Sequence, residues 1–179
     1  MDFYKNADHF CKPYSHGVSG IQYHVLEDLV LEPVDVSFFR KHARIDYNMD
    51  EALIRTYVAA ARQELEQWAQ LSFGRKVIHF QALNIPNNYR LMYGPVDTVD
   101  GAKHTGDILQ HGGGPVDITF TTKEDTTDLV RVAICRYATG LYEQRENYTT
   151  DYEGNVITAS RLIDEAKMML QPIRNVTIW

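Results

Sequence analysis

Between Ile54 and Trp68 apolar residues recur at alternating steps of four and three: Ile54, Val58, Ala61, Leu65 and Trp68. That rhythm follows the 3.6-residue turn of an α-helix and sets all five side chains on one continuous stripe. The start of the helix is marked as well. Asn48 offers an N-cap, Glu51 three residues on completes a capping box, and Asp50 and Glu51 lie where the helix dipole favours negative charge. Gly74 is expected to supply a left-handed C-cap. A helix over residues 48–71 would be about 35 Å long at 1.5 Å per residue, the height of a small domain. A chain of 179 residues is long enough for one ordinary core and too short for two independent ones, so the rest has to pack around this post.

Three further helices are predicted. Asp35 is placed to cap a short one over residues 36–43, with Phe38, Phe39 and His42 along one side. A second strong helix covers residues 126–146, its apolar face formed by Val130, Ala133, Ile134, Tyr137, Leu141 and Tyr142, until the polar run NYTTDYEGN breaks it. Thr158 caps a last helix over residues 159–170, which uses Leu162, Ala166, Met169 and Leu170 and ends before Pro172. Between the long helices, KVIHFQAL (76–83) and YRLMY (89–93) read as strands joined by the turn NIPNN. The tetrapeptide GPVD occurs at residues 94–97 and again at 114–117, two turns bracketing a projecting hairpin that ends in the strand DITFTT. At the start of the chain Ile21, Tyr23 and Val25 alternate in a segment that suits an extended arm.

The expected fold is mainly α, of α+β type: a four-helix domain with a long central helix, a small antiparallel sheet with a projecting hairpin, and extended N- and C-terminal arms. The corresponding division is an arm over residues 1–32, a helical domain over 33–174 with the hairpin inserted at about 76–122, and a tail over 175–179.

Composition narrows the function. A formal charge of −6 disfavours a protein that coats nucleic acid, because affinity for phosphates comes from clustered Lys and Arg. Two cysteines, Cys11 and Cys135, cannot build a disulfide framework or a four-thiolate zinc site and read as free thiols of a reducing compartment. The opening residues contain no run resembling a signal peptide, and no apolar stretch is long enough to cross a bilayer, so no membrane role is expected. His9, Cys11, His16 and His24 match no common zinc spacing, and DYEGN (151–155) lacks the oxygen ligands of a calcium loop. No phosphate-binding glycine loop or dinucleotide fingerprint occurs. The sequence HGGG at 111–114 resembles an oxyanion-hole loop of some esterases, but the nucleophile elbow is missing, since Ser19 sits in GVSG. Neither catalysis, nor a cofactor, nor a metal is expected. A small hydrolase using that loop and a helical DNA-binding module are the alternatives, the first weakened by the absent nucleophile and the second by the acidic balance.

Aromatic residues outside the periodic helices point to protein partners. Phe3, Tyr4, Phe10, Tyr14, Tyr148, Tyr152 and Trp179 fall in arms and breaks, where their own chain offers little to bury them. With His104 and His111 of the projecting hairpin they are the candidate partner-interface residues.

Several phrases, in order, resemble one family. They are ARID at 43–46 after a short helix, the long Ala-rich helix ending in Gly74 and Arg75, and YGPVDTV. TTDLVRVAICRYATGLYEQREN and ASRLIDEAKMMLQPIR follow in the same order. Over roughly residues 32–174 the chain is similar to the head-to-tail connector proteins of tailed phages, also called adaptor or head-completion proteins. That resemblance implies a structural subunit, made in the bacterial cytoplasm and built into the virion neck. It further implies a ring, usually of twelve copies, beneath the portal, with a tail-side neck or stopper protein below. Genomic DNA would pass through the ring without sequence-specific binding. The long helix would then be a scaffold holding side surfaces for neighbouring subunits.

Overall fold

A computed structural model describes residues 18–45, 51–124, 126–144 and 160–175. Four helices form one layer: α1 (Val36–His42), α2 (Glu51–Ala69), α3 (Asp128–Gln144) and α4 (Ser160–Leu170). The predicted stripe of α2 is buried at Ile54, Val58, Ala61 and Leu65, while Trp68 is half-buried beneath the Arg174 guanidinium, 4.6 Å from its ring centre. Against this stripe lie Phe39 of α1, Val130, Ala133, Ile134 and Ala138 of α3, and Ala166 and Leu170 of α4, all buried. The expected cap of α1 is present, with the Phe38 amide donating to Asp35 Oδ1 at 2.8 Å. Phe38 itself faces solvent at 44% exposure, so the apolar side of α1 is carried by Val36 and Phe39. The expected caps Asn48 and Thr158 lie outside the described residues.

The left-handed residue ending α2 is Gln70 (φ 56°), not Gly74. The Leu71 amide reaches back to the Glu66 carbonyl at 3.1 Å, the six-to-one closure of a Schellman motif. Gly74 has another use. A Cβ there would stand 2.3 Å from Leu29 Cδ2, so glycine lets the Leu29 side chain lie directly on the backbone.

The β content exceeds the expectation, and the fold is α+β rather than mainly α. Strands β1 (Gln22–Glu27), β2 (Val77–Ile85), β3 (Tyr89–Arg90), β4 (Val96–Val99), β5 (Lys103–Thr105), β6 (Ile108–Gln110) and β7 (Gly114–Thr122) make two antiparallel sheets, ordered β1-β2-β7-β4 and β3-β6-β5. The residues expected to pair as a β2–β3 hairpin instead part: β2 lies between β1 and β7, and β3 joins β6 in the other sheet. The second GPVD is not a turn. Its residues open β7, whose pairing with β2 begins at Gly114 opposite Ile85. Residues 22–27, read from the sequence as part of an extended arm, form the edge strand beside β2, with a bulge at Leu26.

Alternation along β2 and β7 buries Ile78, Phe80 and Ala82 with Val116, Ile118 and Phe120, and Tyr89 and Leu109 of the small sheet pack in the same core together with Leu91, just past β3. Tyr89 stacks on Phe80 with ring centres 5.4 Å apart, and Phe80 stacks on Tyr23 at 4.7 Å. Each pair adds about 0.5–1.5 kcal/mol beyond its buried area. The opposite face of the large sheet is polar: His79 Nε2 and Gln81 Nε2 lie 2.7 and 2.8 Å from the carboxylate oxygens of Asp117.

The helical and β cores meet through directional bonds. Ser72 N donates to Gly94 O at 2.8 Å, Tyr93 N to Gln70 O at 2.9 Å, and Asn175 Nδ2 to Leu91 O at 3.3 Å. The Thr122 hydroxyl accepts from Lys76 N and donates to Gly74 O, at 2.8 and 2.7 Å. Cys135 is buried in α3, and burial pushes its thiol up to about 12.

Leu65 is wholly buried at the centre of the helical core, so Leu65→Ala is expected to lower unfolding free energy by about 2–5 kcal/mol in urea denaturation.

Candidate functional site

Two polar residues interrupt the buried side of α2 and organise the surface beside it. Arg62 and Glu66, one turn apart, are 2% and 3% exposed, and Arg62 Nη1 donates to Glu66 Oε2 at 2.7 Å. Lys76 Nζ donates to the same oxygen at 2.7 Å, while Glu66 Oε1 accepts the Phe73 amide at 2.8 Å. One buried carboxylate thus binds helix, turn and strand. The remaining donors of Arg62 turn to the segment ahead of α1. Nε and Nη2 form a fork on Glu32 at 2.8 and 3.1 Å, and Nη2 reaches Asp28 Oδ2 at 3.2 Å. Lys76 Nζ completes the set on Asp28 Oδ1 at 3.0 Å.

Burial works against charge at Asp28. The bond from Lys76, the Leu29 amide and the Lys76 and Arg62 charges outweigh it and hold the carboxyl at about 2. At Arg62 burial likewise opposes ionisation, and the Glu32 bond with the neighbouring carboxylates overrides it, raising the affinity for the proton. Between the two tied carboxylates the chain turns outward. Val30 is 97% and Leu31 82% exposed, two adjacent aliphatic side chains held in water by anchors on both sides.

Of the interface residues predicted from sequence, Phe3, Tyr4, Phe10, Tyr14, Tyr148, Tyr152 and Trp179 lie outside the described residues. His104 is half-buried in β5, its Nδ1 2.9 Å from the Gly106 carbonyl across the turn to β6. His111 follows β6, with a buried Nδ1 that has no hydrogen-bond partner. The register Lys103↔Gln110 places His111 one step past the last pair, at the base of the same hairpin. The HGGG run leads from β6 into β7, whose first residue is its last glycine, with Gly113 and Gly114 at φ 89° and 92°. Ser19 bridges Asn84 at the end of β2. Of the four residues weighed as metal ligands, only His24 is among the described residues, on β1 with its ring 6.4 Å from that of His79.

Residues 34–174 match the phage gp6-like head-tail connector proteins. The chain belongs to that family. It is a structural connector family rather than a family of enzymes. No curated protein matches the chain. Among solved structures, a chain from the virion of a native gene transfer agent particle superposes with a TM-score of 0.60 at 17% identity, covering 88% of this chain and 97% of that one. A chain from the neck of an empty gene transfer agent particle, computed with C6 symmetry, gives 0.62 at 16% identity over the same shares. One from the neck of the native particle, computed with C12 symmetry, gives 0.56 at 19% identity over 87% and 97%. At these identities the likeness is one of fold.

In this head-tail connector the features sequence reasoning missed are the ion network and the tip it presents. Arg62 and Glu66 flank the stripe residues Ala61 and Leu65, and their i,i+4 spacing was the available signal. Val30 and Leu31 gave no signal, because an apolar pair beside Pro33 reads equally well as buried.

Removing Arg62 would leave Glu32 and Asp28 without their fork and strip one partner from the buried Glu66. Arg62→Ala is expected to cost about 3–5 kcal/mol in chemical denaturation. For Asp28 the folded value lies below the ordinary carboxylate value of about 3.9, so its contribution is complete above about pH 4 and disappears as pH falls through about 2. The stability gap between wild type and Asp28→Asn is therefore expected to be constant from pH 7 to about 5 and to close between about pH 4 and 2, as read by thermal melts across that range.

Proposed function

We propose that this connector assembles as a closed ring of copies, twelve in number, at the neck of a virion. A portal protein would lie on the head side and a tail or stopper protein on the other. The observation that carries the reading is the family match over residues 34–174, and the fold shared with gene transfer agent neck chains computed with C6 and C12 symmetry supports it. The DNA channel would continue through the ring, and a chain of net charge −6 lets phosphates pass without holding them. Copies would be made in the host cytoplasm before incorporation.

The division into an arm (1–32), a body (33–174) and a tail (175–179) belongs to this reading. So do the contact roles of Phe3, Tyr4, Phe10 and Tyr14 in the arm, of His104 and His111 on the hairpin, and of Tyr148, Tyr152 and Trp179. Aromatic side chains cover large apolar area with few rotatable bonds, which suits contacts made during assembly.

Particles made without this chain are expected to accumulate as DNA-filled heads lacking tails in electron micrographs; normal tailed particles would sink the reading. Deleting residues 1–17 is expected to leave the melting temperature of the purified subunit unchanged and to reduce its copy number per particle. Undiminished incorporation would remove the arm from the assembly contacts.

A further inference from the structure

Two surface features of this chain are opposite in charge. The first is the Val30–Leu31 tip. Ordered aliphatic side chains with exposures of 97% and 82% are the kind of surface that a partner covers, and their ordering cost is already met within the subunit because Asp28 and Glu32 are tied down on either side. The rim of the tip is acidic. Glu27 is exposed, and the network beneath carries three carboxylates, Asp28, Glu32 and Glu66, against two cations, Arg62 and Lys76.

The second feature is an open groove of about 540 Å³ along α1, lined among the described residues by Ser37, Arg40, Lys41, Arg44 and Ile45. Lys41 and Arg44 are cationic and exposed there, and Phe38 lies exposed on the same short helix. The groove has the size of an ordinary ligand cleft and room for two aliphatic side chains. Its charge is opposite to that of the rim around the tip.

Tip and groove lie at different ends of α2. The tip is anchored to Arg62 and, through Lys76, to Glu66, whereas the surface next to the groove includes Arg40 with Glu51 and Arg55 at the start of the helix. From Arg55 to Glu66 is roughly 16 Å along the helix axis at 1.5 Å per residue. The exposure of Val30 shows that the tip does not occupy the groove of its own subunit.

We propose that the Val30–Leu31 tip of one copy docks into the α1 groove of the next, with its acidic rim facing Lys41 and Arg44. Knob and socket occupy different places on the same chain, so the contact is heterologous and repeats from copy to copy until the rotation closes a ring. Aliphatic burial at the centre supplies affinity, and the opposed charges fix the register and exclude a tip-to-tip contact. The inference rests on the ring reading above and names its contact surface.

The test is disulfide trapping in assembled particles, with Leu31→Cys and Lys41→Cys combined in a Cys11→Ser background. Cys135 is buried and does not compete. After mild oxidation, a non-reducing denaturing gel is expected to show a ladder of this chain running past the dimer, absent from either single-cysteine variant. A neck that images as a ring but yields no ladder overturns the contact and leaves the ring reading standing. A product joining this chain to a different neck protein also overturns it, because the tip then serves another partner. A neck holding a single copy overturns both. Charge exchange gives an independent readout if the cysteine pair fails to incorporate. Glu27→Lys and Lys41→Glu are each expected to lower incorporation about tenfold, and the double variant to restore it. Failure of the double variant to recover would overturn the proposal.

Discussion

The Glu66 carboxylate sits where three parts of the chain meet, and each of its oxygens is taken. One binds Arg62 and Lys76, and the other accepts the Phe73 amide in the turn leaving α2. A carboxylate 3% exposed is costly to bury, and only this density of partners offsets that cost. In return the arrangement is selective. An apolar residue in its place could pack in many ways, whereas Glu66 permits one placement of the turn and one of Lys76 at the head of β2. Arg62 then carries the same constraint outward to Glu32 and Asp28, so the approach to α1 is set by a group buried in the helix layer.

Beyond this point the described residues form two cores, one among the helices and the other between the sheets, where Tyr23, Phe80 and Tyr89 stack. Apolar contact alone would let one layer slide on the other, since dispersion is nearly indifferent to small shifts. The bonds Ser72–Gly94, Tyr93–Gln70 and Asn175–Leu91 have fixed lengths and directions. They convert two packed layers into one rigid unit.

The helices were legible because periodicity is a local property. Ile54, Val58, Ala61 and Leu65 announce their shared face through spacing alone, and Asp35 its cap through chemistry. The sheet was harder. β3, β5 and β6 are two or three residues each, too short for alternation to register, and their partners are chosen by tertiary packing. Gly74 misled because a glycine just past a helix usually ends it, while here it accommodates Leu29 and Gln70 takes the left-handed position. The exposed tip was invisible for a related reason. Hydrophobicity is written in the sequence, but whether Val30 and Leu31 turn inward depends on Arg62, which holds Glu32 from thirty residues away.

The buried thiol of Cys135 has a consequence for the finished particle. With its ionisation pushed up to about 12, on the order of one such thiol in a hundred thousand is a thiolate at neutral pH, and the thiolate is the species that attacks disulfides and oxidants. Burial and a scarce thiolate together disfavour a cross-link or a sulfenic acid at this position, so the packing of the helix layer around Cys135 does not depend on the redox state of its surroundings.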